Sequence, residues 1–268
     1  MFFFALKTAT CSCNYEVRSS FFEKEKMKSH KEGKLPVCIN ENSGMVKAWQ
    51  DGFYWTHNDS GGSPELYMVN SVGQLFDTLK IADANNIDWE DLAKDTKGNI
   101  YVGDFGNNLS TRKDLTIYKK GYNKVEKITF EYADQDFTDT LKSEYDCEAF
   151  FWYNDSLYLF TKSWTKGKKK SKVYALPDQE GHYSLQPIDE SFFKAPVTGA
   201  DVSPDGSKFA LITYGKILLF GIENKKIDFR KPLQCIKIGK NQTEALVFEN
   251  DRKIIYSNEQ RKIYSIEI

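Results

Sequence analysis

The chain has 268 residues and a formal charge of −1, with Lys and Arg dispersed along it, so it lacks the electrostatic footprint of a nucleic-acid binder. No apolar stretch reaches the length of a membrane-spanning helix. Helical periodicity is scarce, and 19 Phe with 15 Tyr suit strands that pack through broad side chains.

The chain opens with the short apolar run Met1-Phe2-Phe3-Phe4-Ala5-Leu6, reaches Cys11 and Cys13 almost at once, and continues as a polar segment to residue 33. Two readings stand for residues 1–33: an export-signal remnant and tether, with Cys11 or Cys13 as an acylated cysteine, or an unstructured overhang. The first implies an exported protein, periplasmic, secreted or lipid-anchored at a surface. Cys38, Cys147 and Cys235 have no metal-like spacing and read as small buried apolar residues.

From residue 34 to 268 the chain repeats. Five copies of an apolar strand, a tight turn and a second strand begin at Gly44, Glu90, Glu148, Gly199 and Glu244, with 45 to 58 residues between successive starts. The second copy is the clearest: Asp88-Trp89-Glu90-Asp91-Leu92-Ala93, a Lys97-Gly98 turn, then Ile100-Tyr101-Val102-Gly103-Asp104. Each copy offers a third strand, near residues 66–69, 116–118, 173–176, 217–220 and 263–266. Four offer a fourth, at 75–81, 125–132, 183–188 and 233–238. Residues 34–39 belong to no copy and supply the strand missing from the fifth, with Val37 to Ile39 beside Ile263 to Ile266. These features predict an all-β fold: a β-propeller of five four-stranded blades, closed by an N-terminal strand in the last blade. A monomer is expected. The basic run from Lys166 to Lys172 reads as a solvated hairpin tip.

In such a ring, the start of each first strand and the end of each second strand share one face. Three residues beyond Tyr54, Tyr101, Tyr158, Ala210 and Tyr256 stand His57, Asp104, Thr161, Thr213 and Glu259; one step further stand Asn58, Phe105, Lys162, Tyr214 and Gln260. The predicted ligand-binding set at the channel mouth is His57, Asn58, Asp59, Asp104, Asn107, Lys162, Tyr214 and Glu259. Glu90, Asp104, Glu148 and Glu244 are oxygen donors of the kind that hold calcium. Each glutamate has a second reading, as a latch that accepts backbone amides of the neighbouring blade. His57 reads either as a base working near neutral pH or as a histidine bonded within its loop.

The unit Trp89-Glu90-Asp91-Leu92-Ala93 with Gly98-Asn99-Ile100-Tyr101-Val102 resembles the recurring unit of bacterial exported propellers related to the NHL, gluconolactonase-like and phytase-like groups. Trp55-Thr56-His57-Asn58-Asp59-Ser60-Gly61-Gly62, Gly103-Asp104-Phe105-Gly106-Asn107-Asn108 and Leu159-Phe160-Thr161-Lys162 resemble an uncharacterised exported family. The resemblance implies a propeller and export. It does not carry over an activity, because gluconolactonase-like enzymes hold their metal with a first-blade glutamate where this chain has Ser43-Gly44, and the calcium sites of phytases have no residue-by-residue match. The expected function is non-catalytic binding of a small polar ligand, a glycan or a protein partner at an acidic channel mouth. The alternative is a metal-dependent hydrolase of a lactone or phosphate ester, with His57 as its base.

Overall fold

A computed structural model describes residues 13, 16–17, 20–25, 27–138, 144–163, 170–239 and 241–268. The apolar run at residues 1–6, Cys11 and residues 166–169 of the basic run lie outside them. The described residues form no helix, and so none long and apolar enough to cross a membrane. They form a five-bladed β-propeller of four-stranded antiparallel blades, two of which gain an additional strand in parallel.

Blade 1 comprises Asn42–Lys47, Phe53–Asn58, Glu65–Asn70 and Leu75–Lys80. Blade 2 comprises Trp89–Lys94, Ile100–Asp104, Leu115–Lys120 and Val125–Tyr132. Blade 3 comprises Asp146–Tyr153, Ser156–Lys162, Lys170–Pro177 and Asp189–Phe192. Blade 4 comprises Val197–Val202, Lys208–Thr213, Lys216–Gly221 and Pro232–Lys237. Blade 5 comprises Thr243–Asn250, Lys253–Asn258 and Lys262–Glu267, closed by His30–Lys34 from the other end of the chain.

Second strands such as Lys208–Thr213 are buried on both faces, which explains their near-continuous apolar sequence. Five hydrophobic clusters, one between each pair of neighbouring blades, make the core. The largest stacks Phe209 on Phe220 at 5.0 Å between ring centres, with Phe151, Phe160 and Phe229 around them. Burying each such ring is worth about 1.5–3 kcal/mol relative to exposure.

Two aspartates lock the inner strands together. Asp91, fully buried, accepts the Phe150 N–H of blade 3 at 3.0 Å and the Ala200 N–H of blade 4 at 3.4 Å. Asp201 accepts the Phe248 N–H of blade 5 at 2.8 Å. Blade 5 is tied to blade 1 by Glu249, which accepts from the Tyr54 hydroxyl at 2.6 Å and the Gly52 N–H at 3.1 Å.

The structure corrects three expectations. The closing strand is His30–Lys34, paired Lys34 to Lys262 and His30 to Ser265, rather than residues 34–39. The closing strand is polar because it forms the outer edge of its blade. Leu35 and Ile39, the apolar residues that suggested a strand, instead plug the cluster between blades 5 and 1, while Val37 is 76% exposed. In blade 3 the fourth strand is Asp189–Phe192, not residues 183–188; Gly181–Leu185 runs parallel to Val125–Tyr132 of blade 2. Asp189 suits the outer position because its carboxylate accepts the Phe229 N–H of blade 4 at 2.7 Å.

The third correction concerns cysteine. Cys13 and Cys235 form a disulfide, so Cys235 is not a lone apolar residue and Cys13 is not an acylated one. Cys38 and Cys147 are free, Cys38 exposed and Cys147 buried. The disulfide anchors an N-terminal segment in which Phe22 packs on Phe220 and Glu23–Glu25 runs parallel to Pro232–Lys237 of blade 4. The propeller therefore recruits residues well before 34.

Candidate functional site

The first strand of every blade carries a bulge near its start. The register skips Gly44, Glu90, Glu148, Thr198 and Glu244, each left unpaired against the second strand. A bulge re-aims its extra residue, so one side chain per blade is freed from the pleat at the same end of the ring. Thr198, not Gly199, is thus the blade 4 member. The second-strand partners preceding the bulges are His57, Asp104, Thr161, Thr213 and Asn258. Glu259 lies one step further, level with Asn58, Lys162 and Tyr214.

Three of the five bulge positions hold glutamates, and none accepts a backbone amide among the described residues. The latch role belongs to Asp91 and Asp201. Glu148 pairs with Lys162, both side chains nine-tenths buried. Glu244 accepts the Tyr214 hydroxyl at 3.0 Å. Glu90 is 4% exposed, and its carboxylate accepts no hydrogen bond and makes no ion pair among the described residues.

Three aspartates join Glu90 and Glu148. Oxygens of Asp59, Asp88 and Glu90 lie within 4.8 Å of one another, as do oxygens of Glu90, Asp146 and Glu148. Glu90 belongs to both groups. The loop after blade 2's second strand passes closely over the first group: a Cβ on Gly106 would stand 2.2 Å from Glu90 Oε1 and 2.4 Å from Asp88 Oδ2. The Gly106 backbone thus lies directly against both carboxylates.

The electrostatics follow from burial. Desolvation, reinforced by Glu148, Asp59 and Asp146, pushes Glu90 well above the usual carboxylate range. Desolvation also raises Glu148 well above it, against the pull of Lys162. Glu244 is pushed up to about 8 and Asp88 to about 6, again chiefly by burial. Burial works against the Lys162 ammonium, but Glu148, Asp146 and Glu90 outweigh it and hold its pKa well above normal. One ammonium thus faces several closely spaced carboxylates.

The other expected residues are placed as follows. Asp104 is paired with Arg112, Oδ1 to Nη1 at 3.1 Å, and accepts the Asp88 N–H at 3.0 Å, so it shapes the loop rather than joining the carboxylate groups. Asn107 donates its N–H to Asp146 at 2.8 Å and accepts the Arg112 N–H at 2.9 Å. Asn58 donates its side-chain amide to Cys38 O at 2.8 Å, holding the connection between blades 5 and 1. Asp59 is half-buried, capped by the Ser60 N–H at 2.5 Å. Glu259 is exposed and bonded to Gln242.

His57 is fully buried, its Nδ1 2.8 Å from Asn58 O and its ring edge-on to Trp89. Desolvation lowers its pKa to about 4, which keeps the ring neutral at physiological pH. It fills the space that a side chain on Gly44 would need.

Asp88, Asp146 and Arg112 are absent from the sets predicted from sequence. A signal for the two acids was present, because Asp88-Trp89-Glu90 and Asp146-Cys147-Glu148 place an acid two residues before the bulge in consecutive blades. Arg112 lies in a loop with no repeat counterpart, and no sequence signal marks it.

The far ends of the inner strands open on a cavity of about 450 Å³ lined by Lys94, Trp152, Tyr153 and Asp201 among others. Its carboxylates are already engaged: Asp201 with Phe248 N–H, Asp95 with the Lys97 and Asn99 N–H groups, and Asp205 with Ser207. The uncompensated charge is therefore at the acidic mouth.

No family model matches the chain, and no curated protein matches it. Among solved structures, a crystal structure of a mitotic checkpoint complex is similar at a TM-score of 0.46 and 9% identity, covering 84% of this chain and 62% of that one. The chain thus spans less than two thirds of that neighbour's length. A streptogramin B lyase structure is similar at a TM-score of 0.44 and 12% identity, covering 90% of this chain and 97% of that one.

Proposed function

We propose that the chain is an exported propeller whose channel mouth binds a hard divalent cation of the calcium class, and through it a small polar ligand, a glycan or a protein partner. The observation that carries this reading is Glu90: a carboxylate 4% exposed, without a partner among the described residues, and within 4.8 Å of acid oxygens on two sides. A buried carboxylate either binds a cation or takes up a proton, and several oxygens converging on one point are what calcium requires. Export is supported by the Cys13–Cys235 disulfide, since such bonds persist in oxidising compartments. The resemblance to exported propellers agrees with it.

Thermal melting in chelator, calcium and magnesium tests the reading. Calcium is expected to raise the melting temperature at millimolar concentration or below; identical melts in chelator and calcium contradict it. The second reading, a metal-dependent hydrolase, is favoured by Glu244, held at about 8 and so protonated near neutral pH beside the carboxylates, where it would serve as an acid. A lactone and phosphate-ester screen with and without chelator separates the two.

A further inference from the structure

We propose that Lys162 fills, as a built-in cation, the second of two carboxylate half-sites that share Glu90, and so sets the divalent-cation stoichiometry of the channel mouth at one. This rests on the cation-binding reading above and adds to it which half-site is used and what bars the other.

The two half-sites are chemically alike. Asp59, Asp88 and Glu90 form one, and Glu90, Asp146 and Glu148 the other, each with three carboxylate oxygens within 4.8 Å of one another. A carboxylate common to both groups is the arrangement by which two cations are held side by side, as in two-metal centres. The chain supplies an ammonium to one of them. Lys162 ends the second strand of blade 3, and its Cα partner across the sheet is Asp146 at the start of the first strand. Its Nζ pairs with Glu148, both side chains at most 7% exposed. Among the described residues no ammonium makes an ion pair with Asp59, Asp88 or Glu90, although Lys162 acts on Asp59 and Glu90 from its place beside Glu148. Arg112, whose charge acts on Asp88, is paired with Asp104 and Asp114 and donates to the Gly106 carbonyl.

A buried pair loses much when one partner is removed, because the other is left charged without compensation. Replacing Lys162 with an uncharged residue of similar length therefore leaves Glu148 without its ion pair, beside Asp146 and Glu90 in a geometry already suited to a cation. Replacing Glu148 with Gln leaves the other half-site complete.

The test is a calcium count per chain by equilibrium dialysis, with melting temperatures in chelator and in calcium, on the wild type, Lys162→Met, Lys162→Arg and Glu148→Gln. The expected counts are one for the wild type, two for Lys162→Met, one for Lys162→Arg and one for Glu148→Gln. Lys162→Met is expected to melt below the wild type in chelator and to gain more from calcium. A count of one or less for folded Lys162→Met overturns the proposal while leaving the cation-binding reading intact; a wild-type count of zero overturns the reading itself. Should Lys162→Met fail to fold even in calcium, Glu148→Gln decides. Retention of one cation upholds the assignment of half-sites, and its loss overturns it.

Discussion

A Cβ placed on Gly44 would stand 2.6 Å from Nε2 of His57 and 2.7 Å from the Leu92 backbone nitrogen. Gly44 also adopts a φ of +53°, so neither space nor backbone admits a side chain there. The blade 1 bulge position thus holds a glycine covered by a buried histidine, where blades 2, 3 and 5 hold glutamates, and the acidic mouth is one-sided as a result. Gly44→Ala is expected to destabilise the fold by about 1–3 kcal/mol from backbone strain alone, with the clash added. Urea unfolding checks this; an unchanged midpoint contradicts the packing account.

Stability should fall with pH in the absence of cation. Glu244, at about 8, and Asp88, at about 6, have folded values above their unfolded ones, so the folded chain binds more protons over the interval between. Their contribution is present at low pH and is lost as pH rises through the folded values. His57 works in the opposite direction: held at about 4, it favours the folded chain as pH rises from there to about 6.5. Above about 6.5 only the acids' slope remains. In chelator the melting temperature is expected to fall between about pH 6.5 and 8.5, as Glu244 gives up its proton. Melts that stay flat or rise in chelator across this window contradict the burial of Glu244.

The N-terminal segment should contribute to the ring through Cys13. Its disulfide to Cys235 spans a separation of 222 residues and holds the segment that leads to the closing strand His30–Lys34. Cys13→Ser, or reduction of the wild type, is expected to cost about 2–4 kcal/mol, the usual range for loss of a cross-link. Melting with and without reductant reads this directly, and a reductant-insensitive melt contradicts it.

Much of this architecture was legible because a propeller repeats itself. Apolar second strands such as Lys208–Thr213 and the turns between them mark each blade without knowledge of the others. Outer strands were harder, because an edge is polar by necessity: His30–Lys34 carries no apolar pattern, while Leu35 and Ile39 suggested a strand by plugging a blade interface. The site was legible to the extent that it repeats. Glu90, Glu148 and Glu244 follow from the blade unit, and the same unit carries Asp88 and Asp146 two residues earlier. Bulges are invisible to residue counting, which explains the one-residue slips at Thr198 and Asn258. The burial of His57 depends on Gly44 in the facing strand, a contact no local pattern encodes.

A calorimetric calcium titration of the wild type beside Glu90→Gln tests most directly whether Glu90 holds a cation. The substitution keeps the shape of the side chain and removes only its charge, from a position where no hydrogen bond depends on it among the described residues. Saturable binding of one calcium per wild-type chain is predicted, with binding lost in Glu90→Gln while its melting temperature in chelator holds or rises. Absence of a binding signal in the wild type, or equal binding by the two proteins, would contradict the account.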